Sequence, residues 1–375
     1  MDEFLRASKI PLSTTNCKRV KVVLGNPTCD LDSAVCALVQ GFCEYLDAKN
    51  AGQIDIRIIP IFNVPEREFR VKTEVVYYLR HHKIPLDLLT FRNQVNLKKL
   101  SDDRQTHLEV ILVDHHTLPD EDAFLTESVV KVIDHRPQDP AWSWPGRKIN
   151  LETVGSCATL IARNLLEAYP KFLLPQVLHL LRGPILIDTC NLSKEADRAR
   201  PLDYEMINAL EKAGGLDPDR TKVFDEIVAA KSDITGLSVD DLMIRDLKVT
   251  SGIPIVGLPL LVENFLALGD ALGALKRFAG SRDTSIIIII GLELVEGKVM
   301  RDIAVFSLPS NRLKDKIIET LTSSTNPALE LSLRRHITQE EDGFELRLYR
   351  QGNLKATRKQ ILPIVQEIAA ARAPC

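Results

Sequence analysis

The run Ile111-Leu112-Val113-Asp114-His115-His116 and the later run Val132-Ile133-Asp134-His135-Arg136-Pro137 decide the reading of this chain. Each is a short apolar stretch that finishes in an aspartate followed by a histidine. Such a stretch, closed by polar residues, fits a strand buried in a parallel sheet. In open parallel sheets, ligands bind beyond the carboxyl ends of the strands. An acid and an imidazole at a buried strand end need partners. One such end reads as ordinary loop polarity. Two in succession read as a site.

Working outward, strands are expected at Glu109 to Val113 and Val129 to Ile133, with an earlier one at Val20 to Leu24. That first strand runs into Gly25-Asn26-Pro27-Thr28-Cys29-Asp30-Leu31-Asp32-Ser33, where a helix over Leu31 to Ala48 begins. Seen alone, Asp30 or Asp32 would simply cap this helix. A strand at Ile54 to Ile61 and a helix at Lys72 to His81 follow. Downstream, Thr153 to Tyr169 reads as a helix, and Leu174 to Leu192 is apolar and largely helical. Inside it, Gly183-Pro184-Ile185-Leu186-Ile187-Asp188-Thr189 places a lone aspartate after an apolar segment. Strands alternating with helices imply an α/β fold, a parallel sheet with helices on both faces.

The polar stretch Ser193 to Asp203 is the best linker candidate. It divides the chain into a first domain at 1–192 and a second at 204–375. Beyond it, helices are expected at Tyr204 to Ala213, Thr221 to Lys231, Leu261 to Ala279, Arg312 to Thr322 and Arg358 to Ala371. Strands are expected at Leu242 to Val249, Ile253 to Leu258, Thr284 to Leu294, Val299 to Ser307, Glu330 to Leu333 and Phe344 to Tyr349. This is a smaller, mixed α/β domain.

Composition narrows the function. With 375 residues and 45% apolar content, two domains can each bury a core. A net charge of -3 argues against a nucleic-acid binder, which would show a basic domain or stripe. The seven cysteines, Cys17, Cys29, Cys36, Cys43, Cys157, Cys190 and Cys375, form no C-x-x-C pair. They read as reduced core thiols of a cytoplasmic protein rather than zinc ligands. No secretory signal opens the chain, and its most apolar run, Ser285 to Val295, is too short to span a membrane. It reads as a buried strand.

Asp30, Asp32, Asp114, His135 and Asp188 together supply hard oxygens and one imidazole nitrogen. That mixture suits Mg²⁺, Mn²⁺ or Co²⁺ better than a thiolate-preferring ion. Crowded carboxylates repel unless cations neutralise them. A carboxylate shared between two ions would hold them at ~3.5–4 Å, the spacing used for in-line attack at phosphorus.

The motifs Asn26-x-x-x-Asp30-x-Asp32-Ser33, Val113-Asp114-His115-His116, Ile133-Asp134-His135-Arg136-Pro137 and Ile187-Asp188-Thr189 resemble the four metal-binding motifs of the DHH superfamily. The set is specific, although no single motif is. The chain is most similar to the prune branch of exopolyphosphatases, related to class II inorganic pyrophosphatases. Asn26 stands where the pyrophosphatases have histidine, and Arg136 where they have the second histidine of D-H-H. Lys231 to Ser238 and Thr357 to Pro363 resemble the associated second domain, with the active site in the cleft between domains.

The resemblance implies two divalent cations, one held by Asp30 and Asp114 with Asn26 near it, the other by Asp32, Asp114, His135 and Asp188. Arg136 would face substrate phosphate, and Arg358 and Lys359 would clamp it from the second domain. His115 would orient its neighbours, and His116 would point elsewhere. His81 and His82 read as surface residues, while His107, His179 and His336 receive no role. The expected substrate is short-chain inorganic polyphosphate or pyrophosphate. Two other readings also come from the resemblance: a cyclic-nucleotide phosphodiesterase at the same metals, and a scaffold for nucleoside diphosphate kinase.

Overall fold

The computed structural model describes residues 1–10, 17–296, 298–309, 313–339 and 343–370. Cys375 and the expected helix ends at Arg312 and Ala371 lie outside the described residues. The chain forms two compact units, Met1–Asp233 and Ile234–Cys375.

The first unit runs α1 (Asp2–Lys9), β1 (Arg19–Leu24), α2 (Leu31–Asn50), β2 (Ile56–Phe62), α3 (Glu66–Phe69), α4 (Thr73–His81) and β3 (Thr90–Phe91). It continues with α5 (Leu97–Asp102), β4 (His107–Val113), β5 (Val129–Asp134), β6 (Lys148–Leu151), α6 (Cys157–Ala168), α7 (Pro175–Asp188), α8 (Pro201–Gly214) and α9 (Arg220–Ser232). Its six-stranded sheet has the order β3-β2-β1-β4-β5-β6. Every pairing in it is parallel.

Both faces of this sheet are buried, which is why its strands read as near-continuous apolar runs. Val23, Ile111, Val113 and Ile133 pack against α2, α4, α6 and α7. Their neighbours Val22, Leu24, Val110, Leu112 and Val132 face the other way, toward Leu97, Leu125 and Trp144. The chain leaves β1 toward β2 and β3 on one side and toward β4, β5 and β6 on the other. The order therefore reverses between β1 and β4, and that crevice is where such a sheet places a ligand. Leu24 pairs with Leu112, and Val113 with Ile133, so the residues that follow the three strands emerge side by side.

The second unit contains α10 (Val239–Arg245), β7 (Leu247–Thr250), β8 (Ile253–Leu258), α11 (Val262–Leu266), α12 (Ala271–Ser281), β9 (Ile286–Val295) and β10 (Lys298–Ser307). Then come α13 (Leu313–Ser323), β11 (Leu331–Gln339), β12 (Phe344–Gln351) and α14 (Arg358–Ala370). The sheet order is β11-β12-β10-β9-β8-β7. Only the β8–β9 pair is parallel, so the sheet is mixed, as expected.

Four expectations need correction. Residues 193–203 do not separate the units; the division falls between Asp233 and Ile234. The polar stretch is bound into the first unit through Asp203, which is buried and accepts from Gly155 N at 2.8 Å and Thr159 Oγ1 at 2.5 Å. α8 and α9 then pack on the first core through Ile207, Leu210 and Ile227. Leu242 to Val249 is not one strand, because Ser238 and Asp241 form a capping box that starts α10. The helix expected over Leu261 to Ala279 breaks in two before Ala271, where Asp270 adopts φ +65°. Finally, β9 is buried only to Gly291; Leu294 beyond it is 67% exposed.

No helix among the described residues is long and apolar enough to cross a membrane. Of the described cysteines, Cys29, Cys36, Cys43 and Cys157 are buried thiols, whereas Cys17 and Cys190 are half-buried.

Candidate metal and phosphate site

The turn after β1 is tight. A Cβ on Gly25 would collide with Ser33 Oγ, the hydroxyl that accepts from Asn26 N at 2.7 Å. The turn delivers two aspartates with different surroundings. Asp30 is the N-cap of α2, its carboxylate accepting from Ser33 N at 3.1 Å. Asp32 lies one residue into the helix and is buried. Its two oxygens accept Cys157 N at 2.7 Å and Ala158 N at 2.8 Å, at the positive end of α6. Capping and site formation are thus done by the same residues.

Asp114 follows β4 with φ +59°, a left-handed conformation that aspartate tolerates better than bulky residues. It is 1% exposed. Asn26 lies behind it. The Asn26 amide nitrogen donates to the Asp114 carboxylate in a very short contact and to Asp114 O at 3.2 Å. Its amide oxygen accepts from Thr28 N at 2.9 Å. Asn26 therefore presents N–H groups, not its oxygen, toward Asp114. In this arrangement it braces a carboxylate.

His135 follows β5. Its Nδ1 lies 3.1 Å from Val154 O, leaving Nε2 turned toward Asp114 Oδ1 at 3.4 Å. Orientation of one ring nitrogen by a carbonyl is the usual way a ligating histidine is fixed. Val154 belongs to the loop before α6, not to the helix expected from Thr153. One potential ligand atom from each of Asp32, Asp114 and His135 lies within 4.8 Å of the others. These three form the only such group among the described residues.

Asp188 is the last residue of α7, at the negative end of a helix, where a carboxylate is disfavoured. Burial and then the charges of Asp32 and Asp30 push its carboxyl well above the usual range. Burial, followed by Asp32, does the same to Asp114. Burial also raises Asp32, against the pull of His135. For His135, burial opposes protonation, but the Asp114 hydrogen bond and the Asp32 charge overcome it and raise the imidazole to about 10. The acids crowd so closely that protonation is favoured both on them and on the histidine beside them. That electrostatic state is relieved by a cation, and the donor set of carboxylates with one imidazole fits Mg²⁺, Mn²⁺ or Co²⁺.

Asp30, Asp32, Asp114, His135, Arg136 and Asp188 line one cavity of ≈ 410 Å³. The structure thus brings six residues from four separate stretches to one cavity. Arg136 donates from Nη1 to Asp114 O at 2.9 Å and keeps a side chain 48% exposed. Arg358 and Lys359 belong to the second unit. There Arg358 donates to Asp246 O at 2.7 Å and Asp246 Oδ1 at 2.8 Å. Lys359 is exposed, and its ammonium has no partner among the described residues.

Sequence reading missed three contributors to the cavity wall: Asp197, Arg198 and Arg200. Their signal was the basic pair of Asp197-Arg198-Ala199-Arg200, hidden inside a stretch read as a linker. His116 was also undervalued: it is buried and bonded to Asp134, not idle. His82 is half-buried rather than fully exposed; it stacks on His179 with ring centroids 5.1 Å apart.

A DHHA2 domain profile matches residues 225–368. Exopolyphosphatase PRUNE1 of Rattus norvegicus is 33% identical over 99% of this chain and 80% of its own length. A putative exopolyphosphatase of Schizosaccharomyces pombe is 30% identical over 92% of this chain and 90% of its own. Among solved structures, a putative family II inorganic pyrophosphatase of Methanococcus jannaschii superposes with a TM-score of 0.52. It has 18% identity and covers 93% of this chain and 99% of that one, a likeness of fold. With the carboxylate cavity at the reversal of a parallel sheet and relatives matched over nearly the whole chain, the protein belongs to the DHH superfamily, in its prune exopolyphosphatase branch, and is a phosphoanhydride hydrolase.

Proposed function

We propose that the protein is an exopolyphosphatase acting on short inorganic polyphosphate, with two divalent cations held by Asp30, Asp32, Asp114, His135 and Asp188. The observation that carries this reading is the single cavity lined by those five residues and by three guanidinium groups. When bound, such a cation pair lowers the pKa of a coordinated water and polarises phosphoryl oxygens. The chain's own residues supply the rest. Asp114 shares the cavity with both Asp30 and Asp32 and feels the charge of each, so it is the candidate to bridge. Asn26 holds the Asp114 carboxylate, and the backbone amides at Cys157 and Ala158 hold that of Asp32, so these two acids are preorganised. Arg136 reaches over Asp114 and can grip phosphate oxygens in a fork.

Cyclic nucleotides fit less well, because no Phe, Tyr or Trp is among the described residues lining the cavity to stack a base. The deciding experiment incubates purified protein with pyrophosphate, tripolyphosphate, tetrapolyphosphate and cyclic AMP, each with Mg²⁺, Mn²⁺ or Co²⁺. Phosphate release is expected from tripolyphosphate and tetrapolyphosphate. No release under any metal would end the proposal.

A further inference from the structure

We infer that Arg198 is a substrate-binding residue that holds a phosphate away from the scissile bond, so that the segment 193–203 sets the preference for polyphosphate over pyrophosphate. This rests on the exopolyphosphatase reading above.

Three observations carry it. First, the segment is built, not loose. Asp203 accepts from Arg200 N at 2.7 Å as well as from Gly155 and Thr159. Tyr204 donates its hydroxyl to Leu192 O at 3.0 Å, and Ala196 N donates to Ser193 Oγ at 3.2 Å. Cys190, Asn191, Leu192 and Asp197 all take positive φ. Non-glycine residues persist there only when their surroundings over-determine them.

Second, the segment presents its cations to the cavity that contains the acids. Asp32 and Asp114 are 3% and 1% exposed, whereas Arg198 is exposed and Arg200 half-buried. Buried acids therefore form the floor, while the rim carries the guanidiniums together with the exposed Asp197, itself paired to Arg200. A floor of acids binds cations; a rim of guanidiniums repels them and attracts polyanions. A chain of phosphates reaching from floor to rim satisfies both.

Third, only one of the rim guanidiniums lacks a partner. Arg136 is held by Asp114, and Arg200 by Asp197 Oδ1 at 3.3 Å. Arg198 makes no hydrogen bond or ion pair with any described residue, although Asp197 adjoins it. A plain solvated loop arginine would also be free. It would not be set on a locked loop beside a metal-ligand cavity.

The test compares wild type with Arg198→Ala, Arg198→Lys and Arg104→Ala, the last an exposed arginine outside the cavity that controls for lost net charge. Steady-state constants are measured on pyrophosphate, tripolyphosphate and tetrapolyphosphate, and binding of imidodiphosphate and tripolyphosphate is followed by calorimetry. For Arg198→Ala, KM for the longer chains should rise about tenfold or more, the effect of losing a charge-assisted contact. Its kcat should stay within about twofold, since the contact is equal in ground and transition states. The lysine variant should recover part of the loss by charge, without the fork. Tripolyphosphate affinity should fall more than imidodiphosphate affinity. An unchanged KM, an equal loss in Arg104→Ala, or a fall in kcat alone would overturn the inference while wild-type turnover keeps the exopolyphosphatase reading intact. If wild type hydrolyses no polyphosphate, the parent reading fails instead.

Discussion

His116 Nδ1 lies 2.5 Å from Asp134 Oδ2, so the histidine of one strand end is locked to the aspartate of the next. His116 Nε2 accepts from Asp139 N at 2.9 Å, which leaves the ring proton on Nδ1 for Asp134. The other Asp134 oxygen takes the amide of His135 at 2.8 Å. The pair thereby clamps the β4 and β5 ends that carry Asp114 and His135. In His116→Ala, a fully buried carboxylate loses its main donor. The first unit should lose about 2–4 kcal/mol, and Mn²⁺ should bind more weakly. Denaturant unfolding and metal titration check this; unchanged unfolding would refute the clamp.

Asp114→Asn should behave oppositely in two assays. Phosphate release should fall by well over roughly 100-fold, because the carboxylate proposed to bridge the cations has lost its charge. In chelator, the variant should unfold at a higher temperature than wild type. Its carboxylate is buried beside Asp32, and neutralising it removes both desolvation and repulsion. Near wild-type turnover would contradict the bridging role.

Asp203→Ala should loosen the loop that carries Arg198 and Arg200. It leaves the amides of Gly155 and Arg200 and the hydroxyl of Thr159 without their acceptor. A cost of about 3 kcal/mol or more is expected, with a raised KM for tripolyphosphate. Proteolysis within 193–203 should accelerate; resistance equal to wild type would argue against the anchor.

His82 gives a pH signature. Burial, then the neighbouring His179 and His81, lowers it from the ordinary 6.5 to about 3. Between those values the unfolded chain binds a proton that the folded one refuses. Its contribution is therefore fully present above pH 6.5 and is lost as pH falls toward 3. Unfolding of wild type and His82→Gln at pH 7.5 and pH 5 should show the gap moving in the variant's favour on acidification. A gap that does not move would exclude this source of acid sensitivity.

Thiol reactivity should follow burial. Cys29, Cys43 and Cys157 are each pushed up to about 12 by desolvation. Cys36 is likewise raised. A thiol-disulfide reagent at pH 8 should label half-buried Cys17 and Cys190 well before these four, which should react only in denaturant. Rapid native labelling of Cys157 would show that the start of α6 opens.

Apolar runs alternating with helical periods sufficed to specify a parallel sheet, because burial on both faces leaves its mark residue by residue. Acids at the ends of four such segments were equally legible, since a carboxylate beside a buried strand has few structural excuses. What sequence did not reveal is where polar chain goes. Ser193 to Asp203 carries the composition of a linker, yet Asp203 ties it to Gly155 and Thr159, contacts separated by more than forty residues. His116 and Asp134, and Asn26 and Asp114, are likewise pairings across strands. Local pattern records which side of an element is dry; which donor meets which acceptor is settled only when distant segments pack.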